Sequence, residues 1–223
     1  MAEGGTHDQG SLIEQRSEPN DATPFLPERR SLSALLEAAA GCRGCHLWRG
    51  ATQTVFGEGM KRARVVLVGE QPGDREDRAG KPFVGPAGGI LSKALGEAGI
   101  DRETVFVTNV VKHFKWRPAP GSKRRLHERP NKAEVGACLP WVEAELRLVR
   151  PEGLVLLGAT ATEALLGWGV SVTRDRGQPL ESDLAPYVVA TVHPSSILRA
   201  GQRREAAYDA FVADLRAVAE LIA

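Results

Sequence analysis

The segment GSKRRLHERP (121–130) places one histidine, His127, among closely spaced cations. Such a concentration of positive charge predicts contact with phosphate groups. A neutral imidazole is also a better nucleophile than water, and much of a histidine population is neutral at neutral pH. His127 is therefore either one more anion contact or a residue that does chemistry. The surrounding cations are Lys123, Arg124, Arg125 and Arg129.

Three cysteines and a histidine form a second candidate site. Cys42 and Cys45 make a C-x-x-C pair, and Cys138 lies far downstream. In a reducing cytoplasm this spacing favours metal or cluster ligation, or less often a redox pair. Together with His113, the set suits zinc or an iron–sulfur cluster. The alternative is that His113 is only a residue of the basic loop and Cys138 a small buried hydrophobic residue.

The segment GEQPGDREDRAGKPFVGPAGG (69–89) contains a carboxylate, Glu70, and an aromatic ring, Phe83. Its glycines let the backbone approach a ligand closely. Glu70 is either a base or cation stabiliser, or a solvated carboxylate at a tight connection. Phe83 is either an ordinary packing residue or a stacking platform for a base. The common phosphate-loop patterns are absent, which disfavours nucleotide binding of that kind.

The segment HPSSILR (193–199) starts with His193, directly before a proline that disfavours helical backbone at the histidine. A histidine in this place is either a hydrogen-bonded structural residue or a catalytic one. Ser195 and Ser196 are suited to cap a helical turn or to hold a phosphate.

Strand and helix patterns alternate along the chain and position these segments. Continuous apolar runs predict strands that are covered on both faces, and residues 112–130 are predicted as a basic loop. Asn131 and Glu134 resemble a capping box. Such alternation predicts a parallel sheet of four strands with helices on both faces. The predicted strands are 63–70, 104–111, 153–158 and 187–192, and the predicted helices are 31–42, 88–98, 131–150, 159–167 and 203–222.

The candidate residues gather at one edge of that sheet. Ligands of open parallel sheets bind beyond the carboxyl ends of the strands. Glu70, Asn109 and His193 stand at three of these ends, and LGAT (157–160) follows the third strand. This convergence argues for a site more strongly than any single motif does.

Composition sets the broad class. The 223 residues are 42% hydrophobic, enough for one compact domain, which we assign to residues 31–223. Residues 1–30 lack a hydrophobic period and are predicted to be a disordered leader. The 29 Lys and Arg balance 28 Asp and Glu, so any nucleic-acid signal is local. The chain has no long apolar run and no secretion signal, which predicts a cytoplasmic, unexported protein without a membrane partner.

In order, the motifs GEQPGD…PFVGPAG, TNVVKHFK, KRRLH and HPSSILR resemble those of the uracil-DNA glycosylase superfamily. More narrowly they resemble the UdgX group, which is related to the iron–sulfur family 4 enzymes. The segment KRRLH distinguishes this group from the related families. The resemblance covers about residues 35–220. It implies a three-layer α/β/α fold with a central four-stranded parallel sheet, and a monomeric base-excision repair enzyme that removes uracil from DNA, preferably single-stranded, at the nucleoid.

The resemblance also implies roles for individual residues. Glu70 and Gln71 would face the scissile glycosidic bond, and Phe83 would stack on the extruded uracil. Asn109 would read the amide edge of the base, and His193 would hydrogen-bond the base. Further substrate contacts would come from Arg125 and Ser195, and phosphate contacts from Lys123 and Arg124.

For the metal site, the resemblance implies a 4Fe-4S cluster on Cys42, Cys45, Cys138 and His113. His113 stands where family 4 has a cysteine, and zinc is the alternative metal.

In the UdgX group the resemblance implies that His127 attacks C1′ of the sugar and stays attached, giving a covalent protein–DNA product. Glu70 is a candidate acceptor for the proton that the imidazole loses. Two alternatives stay open. One is an ordinary, turning-over glycosylase in which His127 contacts phosphate. The other is a non-catalytic nucleic-acid-binding protein with structural zinc.

Overall fold

The computed structural model describes residues 20–223, so the predicted leader lies mostly outside the described residues. Its last part is ordered: a short 3₁₀ helix spans Thr23–Phe25. Ala22 is fully buried, and its N–H donates to the carbonyl of Ala137 at 2.7 Å. The folded region therefore begins before residue 31.

Helices and strands alternate through the described chain as the apolar pattern predicts. The strands are β1 (Glu58–Gly59), β2 (Val65–Gly69), β3 (Phe106–Asn109), β4 (Trp116–Pro118), β5 (Arg125–His127), β6 (Gly153–Leu157), β7 (Pro179–Leu180) and β8 (Tyr187–Thr191). The helices are α1 (Leu32–Ala39), α2 (Asp74–Ala79), α3 (Pro86–Glu97), α4 (Lys132–Val149), α5 (Ala159–Leu166), α6 (Val172–Asp175), α7 (Pro194–Leu198) and α8 (Arg204–Leu221).

Within residues 20–223 the main sheet has six strands in the order β1-β3-β2-β6-β8-β7. The central strands β3, β2, β6 and β8 are parallel, as predicted. The edge strands β1 and β7 pair antiparallel, so the sheet is mixed and larger than the predicted four strands. Each edge strand is two residues long, too short to show an alternating pattern in the sequence.

Helices cover both faces of the sheet, which confirms the three-layer α/β/α architecture. Residues of β2 alternate between the faces: Leu67 packs with α3 and α8, whereas Val66 and Val68 pack with α4 and α5. All five residues of β2 are buried. This is why the strand reads as an unbroken apolar run.

Two helix starts follow the predicted capping chemistry. The Ser31 hydroxyl accepts the N–H of Ala34 at the start of α1. At the start of α4, Asn131 accepts the N–H of Glu134, and the Glu134 carboxylate accepts the N–H of Asn131. The capping box orients α4 directly after the basic segment.

The basic segment 112–130 is an antiparallel ribbon rather than the predicted loop. Strands β4 and β5 pair with Trp116 opposite His127 and Pro118 opposite Arg125. The two strands are three residues each and none of their residues is buried, so the sequence shows neither an apolar run nor an alternating pattern there. The ribbon carries His127 on its last residue.

No helix in residues 20–223 combines the length and the apolar character needed to cross a membrane.

Candidate active site

The carboxyl ends of the parallel strands open into a cleft of about 850 Å³. The cleft gathers most of the residues predicted for substrate and chemistry, and Lys123 and Arg125 are outside its lining. Predicted residues on its wall are Glu70, Gln71, Phe83, Asn109, Arg124, His127, His193 and Ser195.

Gly69, at the end of β2, lets three functional side chains meet. A Cβ at this position would lie 2.4 Å from Asn109 Oδ1 and 2.8 Å from the ring of Phe83. It would also lie 3.5 Å from His193 Nε2, so this nitrogen faces the end of β2. Only glycine leaves room for this close approach. Asn109 itself is buried.

Phe83 is held in a left-handed backbone conformation, with φ of 56°. Its carbonyl carbon and oxygen press on Gly88, where a Cβ would lie 1.7 Å from the oxygen. Its ring stacks against His193, with centroids 6.2 Å apart and planes at 27°. Positive φ is costly for a bulky residue. The left-handed backbone of Phe83 therefore holds its ring in one orientation at the cleft.

Glu70 follows β2 and joins several walls of the cleft. Its Oε1 lies 3.3 Å from His127 Nε2, and its Oε2 accepts a hydrogen bond from the Thr160 hydroxyl. Arg129 Nε is 3.8 Å from Oε2. Burial raises the pKa of Glu70, but hydrogen bonds from His127 and Thr160 outweigh it and hold that pKa below its ordinary value. Glu70 is therefore a carboxylate at neutral pH.

Gln71 is buried and its amide has one defined orientation. Its Oε1 accepts the N–H of Lys115 at 2.9 Å, and its Nε2 donates to the carbonyl of Glu128 at 2.9 Å. The Gln71 Nε2 also lies 3.3 Å from the carbonyl oxygen of Lys115 and 2.9 Å from His127 Nε2. Gln71 and Glu70 thus contact the same nitrogen of His127.

His193 caps the short helix α7 and has a defined tautomer. Its Nδ1 accepts the backbone N–H of Ser195 at 3.2 Å and lies 2.9 Å from the Ser195 hydroxyl. Burial is the main cause that lowers the pKa of His193 to about 4, so the ring is neutral. Its proton is then on Nε2, the nitrogen that faces the cleft.

The ribbon is fastened to α2 by Arg125. This guanidinium ion-pairs with Asp74, and with Asp77 at 2.6 Å, and its side chain is 11% exposed. Desolvation lowers the pKa of Arg125, but the bonds to Asp77 and Asp74 outweigh it and raise the pKa. The structure thus gives Arg125 carboxylate partners on α2, one of which, Asp74, lines the cleft. Lys123 and Arg124 stay exposed at the tip of the ribbon.

The buried ion pair of Lys112 and Glu145 contacts the backbone of Asn109. Lys112 Nζ donates to Glu145 Oε2, to Thr108 Oγ1 and to the carbonyl of Asn109, each at 2.7 Å. Glu145 Oε1 in turn accepts the N–H of Gly57 at 3.0 Å. The Lys112 and Glu145 side chains are fully buried. Their polar groups are well satisfied, which makes this end of β3 a fixed platform.

Cys42, Cys45 and Cys138 belong to one cluster beside α1 and α4. Cys42 Sγ accepts the indole N–H of Trp141 at 3.2 Å, and Cys138 Sγ accepts the backbone N–H of Lys112 at 3.2 Å. Burial raises the pKa of Cys45, and it raises that of Cys138 to about 12.

His113, the fourth predicted ligand, points one ring nitrogen at Thr54. The Thr54 hydroxyl donates to the carbonyl of Ala39 at 2.9 Å, so its oxygen accepts from His113 Nε2, 3.0 Å away. Burial lowers the pKa of His113 to about 4, which leaves Nδ1 unprotonated. A neutral imidazole with its other N–H committed is the form that ligates metals.

The donors therefore fit a metal or cluster in chemical type. Their spacing is not that of a closed site, since in the described part of the chain no three His, Cys, Asp or Glu side chains are grouped to hold a metal ion.

Sequence reasoning missed Thr160 as a contact residue. It lies at the start of α5, just after the carboxyl end of β6, in the segment LGAT, where strand order alone predicts a place on the cleft. Arg129 was recognised only as a cation, but its Nε also donates to Thr160 Oγ1 at 3.1 Å. For Thr160 the only sequence clue is its position after a strand end, and for Arg129 its place in the basic segment. The contacts themselves join distant parts of the chain, so the sequence does not reveal them.

Taken together, the cleft offers an aromatic face, a buried amide, a neutral imidazole donor, a carboxylate and a second imidazole. This set suits the release of a flat, polar heterocycle from a sugar, with positive charge on the sugar and negative charge on the departing ring.

Residues 56–216 match the family model described as the uracil DNA glycosylase superfamily. The chain is 40% identical to the type-4 uracil-DNA glycosylase of Thermotoga maritima over 164 residues, which cover 73% of this chain and 81% of the relative. It is 32% identical to the type-4 uracil-DNA glycosylase of Archaeoglobus fulgidus, covering 86% and 93% of the two chains. A type-5 uracil-DNA glycosylase of Thermus thermophilus is 34% identical, covering 56% and 58%.

Proposed function

Because the chain belongs to the uracil-DNA glycosylase superfamily, we propose that it excises uracil from DNA and that His127 then becomes covalently linked to C1′ of the abasic sugar. Uracil-DNA glycosylase activity follows from the family and its type-4 relatives. The covalent step is the finer proposal. One observation carries it: His127 Nε2 lies in the cleft, 3.3 Å from Glu70 Oε1.

Uracil recognition is assigned to Phe83 and Asn109. The ring of Phe83 offers a stacking face, and the Asn109 amide can donate to O4 of the base and accept from N3–H. Cytosine reverses that pattern and would leave buried groups unpaired, which is a strong basis for its rejection. Lys112 holds the Asn109 backbone and so stabilises this recognition.

Bond breaking is assigned to His193 and Glu70. When the C1′–N1 bond breaks, its electron pair leaves with uracil, and the neutral His193 can donate its Nε2–H to the base. The sugar acquires oxocarbenium character, and the Glu70 carboxylate stabilises that charge. Ser195 acts by keeping Nδ1 of His193 as an acceptor, which fixes the donor on the cleft side.

Capture of the sugar is assigned to Nε2 of His127. Attack requires the tautomer with its proton on Nδ1, in which Nε2 holds a lone pair and can accept from the Gln71 amide. Attack forms a bond from Nε2 to C1′ and leaves a cationic imidazole, which then loses the Nδ1 proton to solvent. Glu70 Oε1 faces Nε2, so it is placed to accept a proton from this nitrogen before the attack and to stabilise the cationic imidazole afterwards.

The covalent product should persist. An imidazole alkylated at nitrogen is a poor leaving group compared with a base that departs as an anion. A single turnover per molecule is therefore expected, as in the UdgX group that the KRRLH segment resembles.

Single-stranded DNA is the proposed preferred substrate. A uracil in a duplex must first be extruded at a cost of a few kcal/mol, and single strands avoid that cost. Lys123 and Arg124, exposed at the ribbon tip, are proposed to hold the flanking phosphates.

We further assign a 4Fe-4S cluster to Cys42, Cys45, Cys138 and His113, with zinc as the alternative. Its support is the gathering of the cysteines and the neutral, oriented imidazole of His113. Such a cluster would tie α1 to α4, and no step of the reaction passes through it. Iron and sulfide analysis with a brown absorbance supports the cluster, whereas a colourless protein with bound zinc contradicts it.

The covalent step is tested by incubating the protein with single-stranded DNA that contains one uracil. We expect a protein–DNA band that survives boiling in detergent. His127→Ser should abolish the band while uracil release continues, since water can then attack the sugar. The same oligonucleotide with thymine in place of uracil should give no band.

Lys123→Ser is the matched control on the same ribbon, and it should bind DNA more weakly but still form the band. A wild-type protein that releases uracil without a band is an ordinary glycosylase, and the covalent proposal fails. If His127→Ser also loses uracil release, His127 is needed to break the bond and the division of roles is wrong.

A further inference from the structure

Trp168 is the most exposed large hydrophobic side chain of the described residues, with 67% of its surface accessible. It lies between Gly167 and Gly169, in the connection from α5 to α6. A tryptophan so placed contributes little to the core, because most of its apolar surface stays in water.

Two other tryptophans have partners for both their rings and their N–H groups. Trp141 is buried and donates its indole N–H to Cys42. Trp116 donates its indole N–H to the carbonyl of Gly50 at 2.7 Å. In contrast, the indole N–H of Trp168 has no acceptor among residues 20–223. The ring is thus available to an outside partner.

The partner should be anionic as well as aromatic, because a cation lies against the ring. Lys132 Nζ is 3.8 Å from the centroid of the Trp168 ring. Lys132 forms no ion pair with a carboxylate in the described part of the chain, so its charge is not neutralised there. Aromatic rings beside unneutralised cations are the surfaces on which single-stranded nucleic acids stack their bases.

Helix α5 connects the cleft to the segment that contains Trp168. Helix α5 begins beside Glu70, which its Thr160 contacts, and its eight residues extend for about 12 Å before the Trp168 connection. Arg129 bridges the start of this helix, with Glu70 on one side and Glu163 on the other. A strand leaving the cleft along α5 would therefore meet Trp168 within a few nucleotides.

We propose that Trp168 and Lys132 form a stacking platform for an unpaired base of the DNA that flanks the excised uracil. The inference rests on the proposed function, since it takes the cleft as the place where the uracil enters. It assigns this site to single-stranded DNA, because the bases of a duplex are already stacked on each other. A protein partner is disfavoured because the exposed ring is flanked by a cation and glycines rather than by further apolar side chains.

Binding to uracil-free DNA tests the platform without relying on catalysis. The probe is a labelled thymine oligonucleotide of about 15 nucleotides, and fluorescence anisotropy gives its Kd. Trp168→Ala should raise the Kd about tenfold, whereas Trp168→Phe should raise it at most about threefold, because stacking needs an aromatic face. The matched control is Tyr187→Ala. Tyr187 is an exposed aromatic residue at the start of β8, the end of the strand away from the cleft, and its replacement should leave the Kd unchanged.

A second measurement locates the platform relative to the uracil. On a long uracil-containing strand, Trp168→Ala should raise the DNA concentration for half-maximal uracil release about tenfold, without changing the maximal rate. The effect should vanish when the strand is shortened on the side of the uracil that reaches Trp168. It should persist when the strand is shortened on the other side.

The proposal is overturned if Trp168→Ala binds the thymine oligonucleotide like the wild type, or if its effect is the same on both shortened strands. These outcomes are distinct from a failure of the proposed function. That failure would appear as a wild-type protein that releases no uracil, whatever its affinity for thymine DNA.

Discussion

The end of β8 and the β4–β5 ribbon each bring one histidine to the cleft, and they hold it in opposite ways. His193, after β8, has its Nδ1 bound to the Ser195 N–H, and burial lowers its pKa to about 4. His127, at the end of the ribbon, has 51% of its side chain exposed, and its Nε2 contacts the side chains of Glu70 and Gln71.

The difference matches the tasks proposed for the two residues. A donor to a departing base must keep one protonation state and one direction, and a buried strand end provides both. A nucleophile must approach C1′ after the base begins to leave, and an exposed ribbon leaves room for that approach. The ion pairs of Arg125 with α2 and the hydrogen bond from Trp116 to Gly50 hold the ribbon.

The largest expected effect comes from removing the charge that both histidines face. Glu70→Gln should slow uracil release by at least about a hundredfold, because the carboxylate stabilises charge that develops only in the transition state. Single-turnover release of uracil is the measurement. Glu163→Gln is the control, since Glu163 pairs with Arg129 and is about one third exposed. A loss below about tenfold would remove Glu70 from the reaction.

Breaking the buried Lys112–Glu145 ion pair next to Asn109 should strongly destabilise the folded protein. Lys112→Ala leaves Glu145 buried without its cation and should lower the free energy of unfolding by about 3–5 kcal/mol, measured in urea. Replacing both partners, Lys112→Met with Glu145→Leu, should recover much of that loss. The control Lys93→Ala removes an exposed pair with Glu97 and should cost less than about 1 kcal/mol. Equal losses in Lys112→Ala and Lys93→Ala would contradict a fixed platform.

Loosening the ribbon should affect the nucleophile more than the donor. Arg125→Ala should slow formation of the covalent band about tenfold relative to uracil release, because His127 would spend less time at the sugar. The ratio of the two rates at saturating DNA is the measurement. Arg124→Ala, an exposed neighbour, should weaken DNA binding but leave the ratio unchanged. If both variants change the ratio alike, Arg125 acts as a general cation and not as the ribbon's anchor.

The smallest effect is on stability at mildly acidic pH. Because burial lowers the folded-state pKa of His193 to about 4, the unfolded chain binds more protons between that value and its own pKa of about 6.5. The stability contribution is therefore full above about pH 6.5 and is lost as the pH falls toward about 4.

Between about pH 7 and pH 5.5, wild type should lose about 1 kcal/mol more than His193→Asn. Urea unfolding at both pH values checks this difference, and His127→Asn is the control in the exposed region. An equal loss in wild type and His193→Asn would show that His193 is not held neutral.

The central strands and the edge at which the site forms can both be predicted from the order of apolar and polar residues along the chain. Strands buried on both faces must be continuously apolar, so β2, β3, β6 and β8 were visible as runs of hydrophobic residues. Their parallel order then placed Glu70, Asn109 and His193 together, because the carboxyl ends of parallel strands meet at one edge.

The contacts that these residues make are set by the three-dimensional fold and cannot be predicted from local sequence. The edge strands, the ribbon and the burial of Arg125 against Asp74 and Asp77 depend on pairing between distant segments, and no local period encodes such pairing. The burial that keeps His193 neutral, and the contacts of His127 with Glu70 and Gln71, likewise depend on distant segments of the chain. The residue type shows that His127 and His193 can react, and the fold determines which ring nitrogen of each histidine faces the cleft.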